Sequence, residues 1–131
     1  MINTNIYILL VDNEKDWPIE DIEVKFTKDQ GSATKGQLGG IVSVDMNSKR
    51  CVVNLYSNNE KIDTPFDSIE PMRPNKKENV RIILGEHRGE LGNLIGVDAQ
   101  DGIVRLKGDA AGFKFLNMIT VGKYIGTESV V

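Results

Sequence analysis

The side chains that most often carry out chemistry are scarce in this chain. It holds one histidine, His87, and one cysteine, Cys51. Nucleophilic catalysis needs a nucleophile and a base within hydrogen-bond reach of each other. His87 stands in a turn between glycines, and Cys51 stands among valines in a strand-like run in another part of the chain. One histidine and one cysteine do not complete a closed zinc site. No catalytic residue, metal or cofactor is therefore expected. Cys51 reads as a small core hydrophobe. Asp45 and Asp98 recur at matching places, but each ends a strand, where aspartate stabilises a turn through nearby backbone; that outweighs a catalytic carboxylate pair. Gly85, Gly89 and Gly92 lack the Lys-Ser/Thr ending of a phosphate-binding loop, and no helix follows them. Positive φ angles and close strand approach account for them better.

What remains is cationic. Arg81, His87, Arg88, Arg105, Lys107 and Lys114 are the candidates for contact with RNA or with a protein partner. Arg81 and Arg105 alternate with apolar neighbours and so should point away from a core. Glu86, Glu90, Asp98 and Asp101 crowd the same region, and most of the few aromatics look like core, whereas stacking on single-stranded RNA needs exposed rings. Residues 1 to 72 carry 7 Lys/Arg against 12 Asp/Glu, a net of −5, and residues 73 to 131 carry 9 against 7, a net of +2. The acidic first part, with its long loop from Lys28 to Gly40, suits basic protein partners. Docking of proteins is thus preferred over strong RNA binding. A cage for methylated side chains needs three or four aromatics; only Tyr56 and Phe66 are near candidates in the first part, which ranks that reading last.

The elements that must position these residues are short strands. Val80, Ile82 and Leu84 alternate into the glycine-punctuated turn, a second strand leaves through Leu94 and Val97, and Asp101-Gly102 turns into Ile103–Leu106. A weaker copy lies upstream. Gly36, Gly39, Ile41, Val44 and Asp45 recur as Gly89, Gly92, Leu94, Val97 and Asp98, each 53 positions later. Val24 and Phe26 answer Val80 and Ile82 at a spacing of 56. Cys51 and Val53 match Val104 and Leu106 at 53, and Phe66 and Ile69 match Phe115 and Met118 at 49. Spacings that change in loops while strands persist are what duplicated β units produce. Thr64-Pro65 reads as the capped start of one helical turn, and no segment shows a sustained helical period.

The expected fold is all-β: two tandem small SH3-like β-barrels joined by a short Pro/Lys linker. Residues 1–16 form an N-terminal extension in which Ile6 to Val11 reads as an edge strand. Residues 17–72 form the first barrel, 73–79 the linker, 80–126 the second barrel and 127–131 a tail. Units of roughly 50 to 60 residues lie near the lower limit of independent stability, so the two should lean on each other, with Trp17 a candidate for the seam. The longest apolar run, Ile6 to Val11, is too short to cross a bilayer. A lone cysteine rules out an internal disulfide and fits a reducing compartment.

The stretch Val80 to Leu106 resembles a KOW motif, the strand-loop-strand signature of NusG-type transcription factors and some ribosomal proteins. Asp16-Trp17, Asp21 to Val24, Ile69-Glu70-Pro71, Val80 to Glu86, Gly96-Val97-Asp98, Asp101 to Arg105, Leu116-Asn117-Met118 and Gly122-Lys123 are together similar to the last two KOW domains of the large subunit of DSIF, the eukaryotic NusG relative. The resemblance spans about Asp16 to Gly126, and residues 1 to 15 do not take part. It implies a non-catalytic, nuclear module of an RNA polymerase II elongation factor. Its implied partners are the elongation complex and associated proteins, with nascent RNA contacted weakly. The family's small zinc-binding subunit would be met only through domains that this stretch does not match, and no membrane contact is implied.

Overall fold

The computed structural model describes residues 14–109 and 111–131. The proposed edge strand Ile6 to Val11 lies outside the described residues. Ten strands follow in order: β1 (Glu23–Phe26), β2 (Leu38–Asp45), β3 (Arg50–Leu55), β4 (Lys61–Pro65), β5 (Ile69–Pro71), β6 (Asn79–Ile82), β7 (Leu91–Asp98), β8 (Asp101–Leu106), β9 (Lys114–Asn117) and β10 (Val121–Lys123). They form two five-stranded sheets, β4-β3-β2-β1-β5 and β10-β6-β7-β8-β9. Every pairing is antiparallel. Three 3-10 turns are the only helical elements among the described residues.

The two sheets repeat one ladder. Val24 pairs with Gly39 in the first and Val80 with Gly92 in the second. Phe26 pairs with Ile69, as Ile82 pairs with Val121. Both long hairpins carry a bulge at the same place, between Ile41 and Ser43 and between Leu94 and Gly96. Gly39 and Gly92 are equivalent for a packing reason: a Cβ at either would run into the neighbouring strand, at the carbonyl of Asn54 or of Arg105.

Register corrects the spacing read from sequence beyond these hairpins. Ile41 faces Val53 and Leu94 faces Val104, so Val53 corresponds to Val104 and Cys51 to Gly102, not to Val104. The first hairpin turns through Met46 to Lys49, whereas the second uses only Ala99 and Gln100. That difference removes two residues, and a match by residue type alone slid past it. The same slip propagates. Phe66 opens a 3-10 turn as Met118 does, and Ile69 opens β5 as Val121 opens β10. Phe115 therefore corresponds to Asp63, which faces Val52 as Phe115 faces Ile103. Thr64 is no cap: it lies buried in β4, and the turn starts after Pro65 without a side-chain cap.

Each ladder wraps a core. Ile22, Val24, Phe26, Ile41, Val53 and Leu55 centre the first; Val80, Ile82, Leu94, Val104, Leu106 and Val121 form the second. Alternation predicts that Ile83 faces outward, yet it is fully buried, in the first cluster. The residue after β6 has a second apolar partner, the neighbouring barrel. The loop before β2 is also folded down: Gln30 and Ala33 exchange backbone hydrogen bonds, and Ala33 is fully buried in the first core.

Candidate docking surface

The six cationic candidates separate into three groups. Arg88 stands in the turn between β6 and β7, where Gly85 and Gly89 hold positive φ angles of 89° and 93°. Its guanidinium reaches across to the first barrel and donates to the carbonyls of Trp17 at 3.0 Å and Pro18 at 2.9 Å. It also donates to the carbonyl of Ile83. Arg81 donates to the Gly89 carbonyl and, at 3.0 Å, to the Glu20 carbonyl. Burial, with Arg81 nearby, lowers the Arg88 pKa from its usual value, while Asp16 and Glu20 counter this. These two arginines are fasteners between the barrels, each holding backbone of the other unit. Arg81 stands on the face of its strand turned away from the second core, and that outer face meets the first barrel.

Two further candidates are held by acids within the second part of the chain. His87 lies 2.6 Å from Glu90 and 3.6 Å from Glu86. Lys107 pairs with Glu128 at 3.0 Å. Of the six, only Arg105 and Lys114 are neither fastened across the seam nor ion-paired among the described residues. Arg105 offers Nε to the Gly112 carbonyl at 3.4 Å.

The barrels meet along a built seam. Ile22 bridges Tyr124, the Ile125 N–H donates to the Asp21 carbonyl, and the Lys123 N–H donates to the Met72 carbonyl. A Cβ at Gly40 would meet the terminal methyl of Ile125, which would have to turn aside. Glu23 is 8% exposed; it accepts a hydrogen bond from the Tyr56 hydroxyl at 3.0 Å and lies 3.8 Å from Lys123 of the second barrel. Burial and that bond raise the Tyr56 pKa. The linker is fastened too: Arg73 donates to the carbonyls of Ile119 and Val121. Trp17 is half-buried against the first core, and its carbonyl lies on the seam.

The candidates for chemistry are accounted for structurally. Cys51 is 3% exposed, and burial pushes its pKa up to about 12, so it is not a thiolate at neutral pH. The Ser48 side chain, together with the backbone N–H groups of Ser48 and Asn47 that donate to Asp45, holds its pKa below the usual carboxylate range. Phe66 is buried and the Tyr56 hydroxyl is engaged, so the two do not frame an aromatic cage. No cluster of metal-ligating side chains occurs among the described residues.

Sequence reasoning missed the most exposed aromatics among the described residues. Phe113 and Phe115 are 54% and 59% exposed and meet edge-to-face with ring centroids 5.8 Å apart. They stand at β9, the last strand of the second sheet. Matching by residue type paired Phe115 with Phe66, which is buried; the alternation Lys114, Phe115, Leu116, with Leu116 against the second core, places Phe115 outside.

The described residues thus form two fused small barrels whose turns and seam are held by backbone-seeking arginines. Residues 72–124 match the family model of the seventh KOW domain of the transcription elongation factor SPT5. The chain is also 34% identical over 84 residues to a protein described as putative transcription elongation factor SPT5 homolog 1, from Arabidopsis thaliana. That alignment covers 62% of this chain and 8% of the relative. It is longer than the chain from residue 72 onward, so it extends into the first barrel. Over residues 72–124 the chain is thus similar to a KOW domain of SPT5-like transcription elongation factors.

Proposed function

We propose that the paired barrels act as a rigid, non-catalytic docking module that holds elongation or RNA-processing proteins on the RNA polymerase II elongation complex in the nucleus. The observation that carries this reading is the seam. Arg88, Arg81, Glu23 and Lys123 tie backbone and side chains of one barrel to the other, so the module offers one composite surface rather than two independent ones. A fixed surface lowers the ordering cost of binding a protein partner. A weaker contact with nascent RNA through the second barrel is the alternative, favoured by Arg105 and Lys114 standing close to exposed rings.

The test is recovery of complexes by the tagged chain from nuclear extract, with and without nuclease. Retention of polymerase after nuclease is the expected result. Its loss on nuclease treatment would overturn docking in favour of RNA.

A further inference from the structure

The outer edge of the second sheet differs from the matching edge of the first. Among the described residues, β9 has β8 on one side and no strand on the other. The Met118 N–H donates to the Gln100 carbonyl, which sets the phase of the β8–β9 ladder. Hydrogen-bonded and non-hydrogen-bonded pairs alternate in an antiparallel ladder. Leu116 with Gly102 thus belongs to the bonded set, and Phe115 with Ile103 to the other. The N–H and C=O of Phe115 then point out from the open edge.

The sheet face beside that edge is apolar, with positive charge around it. Phe113 and Phe115 are more than half exposed, and half-buried Ile103 lies opposite Phe115. Arg105, two residues from Ile103 and on the same face by strand alternation, uses Nε on the Gly112 carbonyl; its other donors have no partner among the described residues. Lys114, between the phenylalanines in sequence, is exposed and without an ion pair among the described residues. The corresponding edge of the first barrel carries Asp63 where the second has Phe115, and Arg50 binds that aspartate at 2.7 Å. Charge on an edge strand discourages pairing with another chain; the second barrel lacks that guard at this position.

We propose that the β9 edge takes an extended peptide segment of a partner protein, alternating apolar and acidic residues, as an added strand. This deepens the docking reading and rests on it. Main-chain hydrogen bonds to the open edge would supply register, and alternate side chains the specificity. The apolar set would cover Phe115, Phe113 and Ile103, on the face that also holds Arg105, while the carboxylates on the opposite face would meet Lys114. A single-stranded RNA fits less well. It does not satisfy a strand edge, only two unpaired cations serve its phosphates, and Asp98 and Asp101 stand at the end of the same hairpin.

Random twelve-residue peptides displayed for selection on the wild-type chain, with counter-selection on Phe115→Asp, provide the test. The substitution installs the residue that the first barrel already carries there, so the fold should tolerate it. Enriched peptides are expected to alternate apolar and acidic residues. Synthetic copies should lose about tenfold or more in affinity on Phe115→Asp and also on Lys114→Glu. Amide exchange at Phe115 should slow when peptide is bound. Enrichment no better than on the counter-selected variant, or affinity indifferent to Lys114→Glu, would overturn the proposal. So would a twelve-uridine RNA that binds this face without being displaced by peptide. Polymerase retained after nuclease by Phe115→Asp as well as by wild type would sink this edge and leave docking intact; loss of polymerase from wild type would sink docking itself.

Discussion

The two barrels share a ladder down to the position of a bulge, yet they present opposite edges. In the first, the outer strand carries Lys61 and Asp63, and Asp63 is tied to Arg50. In the second, the corresponding strand carries Phe115, with Phe113 just before it. The inward-facing residues of both are interchangeable hydrophobes. A ladder constrains side chains only on the face it buries, so the duplicated framework leaves the outer faces free to diverge. The difference marks where recognition is to be sought: the shared part is scaffold, and the unshared part is the candidate for binding.

The sharpest way to break the comparison is to ask whether the barrels are separable at all. Phe26 is fully buried in the first core, and Ile83 of the second unit packs in that same cluster. Phe26→Ala should cost about 3–5 kcal/mol. Because Ile83 and Arg88 would lose their seats, the second barrel should unfold with the first in one transition. Urea denaturation followed by Trp17 fluorescence and by the methyl signals of Leu94 checks this. Leu94 signals that persist after the Trp17 transition would show two independent domains.

Arg88→Ala should cost less, about 2–3 kcal/mol, since it strands carbonyls of Trp17, Pro18 and Ile83 that a charged donor now satisfies. Its distinguishing effect is on cooperativity: the single transition should split in two. Arg88→Lys should rescue only partly, because one ammonium does not reproduce the planar fork of a guanidinium.

Strands β1 to β3 and β6 to β8 were legible because alternation, glycine and turn residues all act locally. The cores followed from the same alternation. What was not legible depended on the partner surface. Ile83 breaks its strand's alternation, and its burial makes sense only once the first barrel lies beside it. Arg81 and Arg88 look like solvent-seeking cations until their carbonyl acceptors, some sixty to seventy residues upstream, are brought near by folding. Phe115 was misplaced because a two-residue change in a hairpin leaves no mark on residue type, only on register. The candidate site was therefore half-read: Arg105 and Lys114 stood out by charge, and the rings beside them did not.

A smaller effect separates the barrels by pH. Cys51 sits in the first core, where burial raises its pKa from 9.0 to about 12, and Gly102 holds the matching place in the second. The unfolded thiol ionises first. Stability from this group is thus complete below pH 9.0 and falls as pH rises from there toward about 12. The wild type should lose stability over that window relative to Cys51→Val, and a maleimide should label native Cys51 only through opening. Ready labelling of the folded chain at pH 8 would contradict its burial.

The smallest expected effect concerns the guarded edge itself. Arg50 and Asp63 are both substantially exposed, with side-chain accessibilities of 43% and 67%. An exposed pair of this kind contributes roughly 0.2–1 kcal/mol and is screened by salt. Arg50→Ala should therefore barely move the urea midpoint in moderate salt. If the pair serves as a guard rather than a strut, its loss shows elsewhere: Arg50→Ala combined with Asp63→Phe should self-associate in sedimentation experiments while unfolding almost as the wild type does. A double variant that stays monomeric, or that loses several kcal/mol, would mean that charge on this edge holds the barrel together. The two edges would then differ in stability rather than in what they admit.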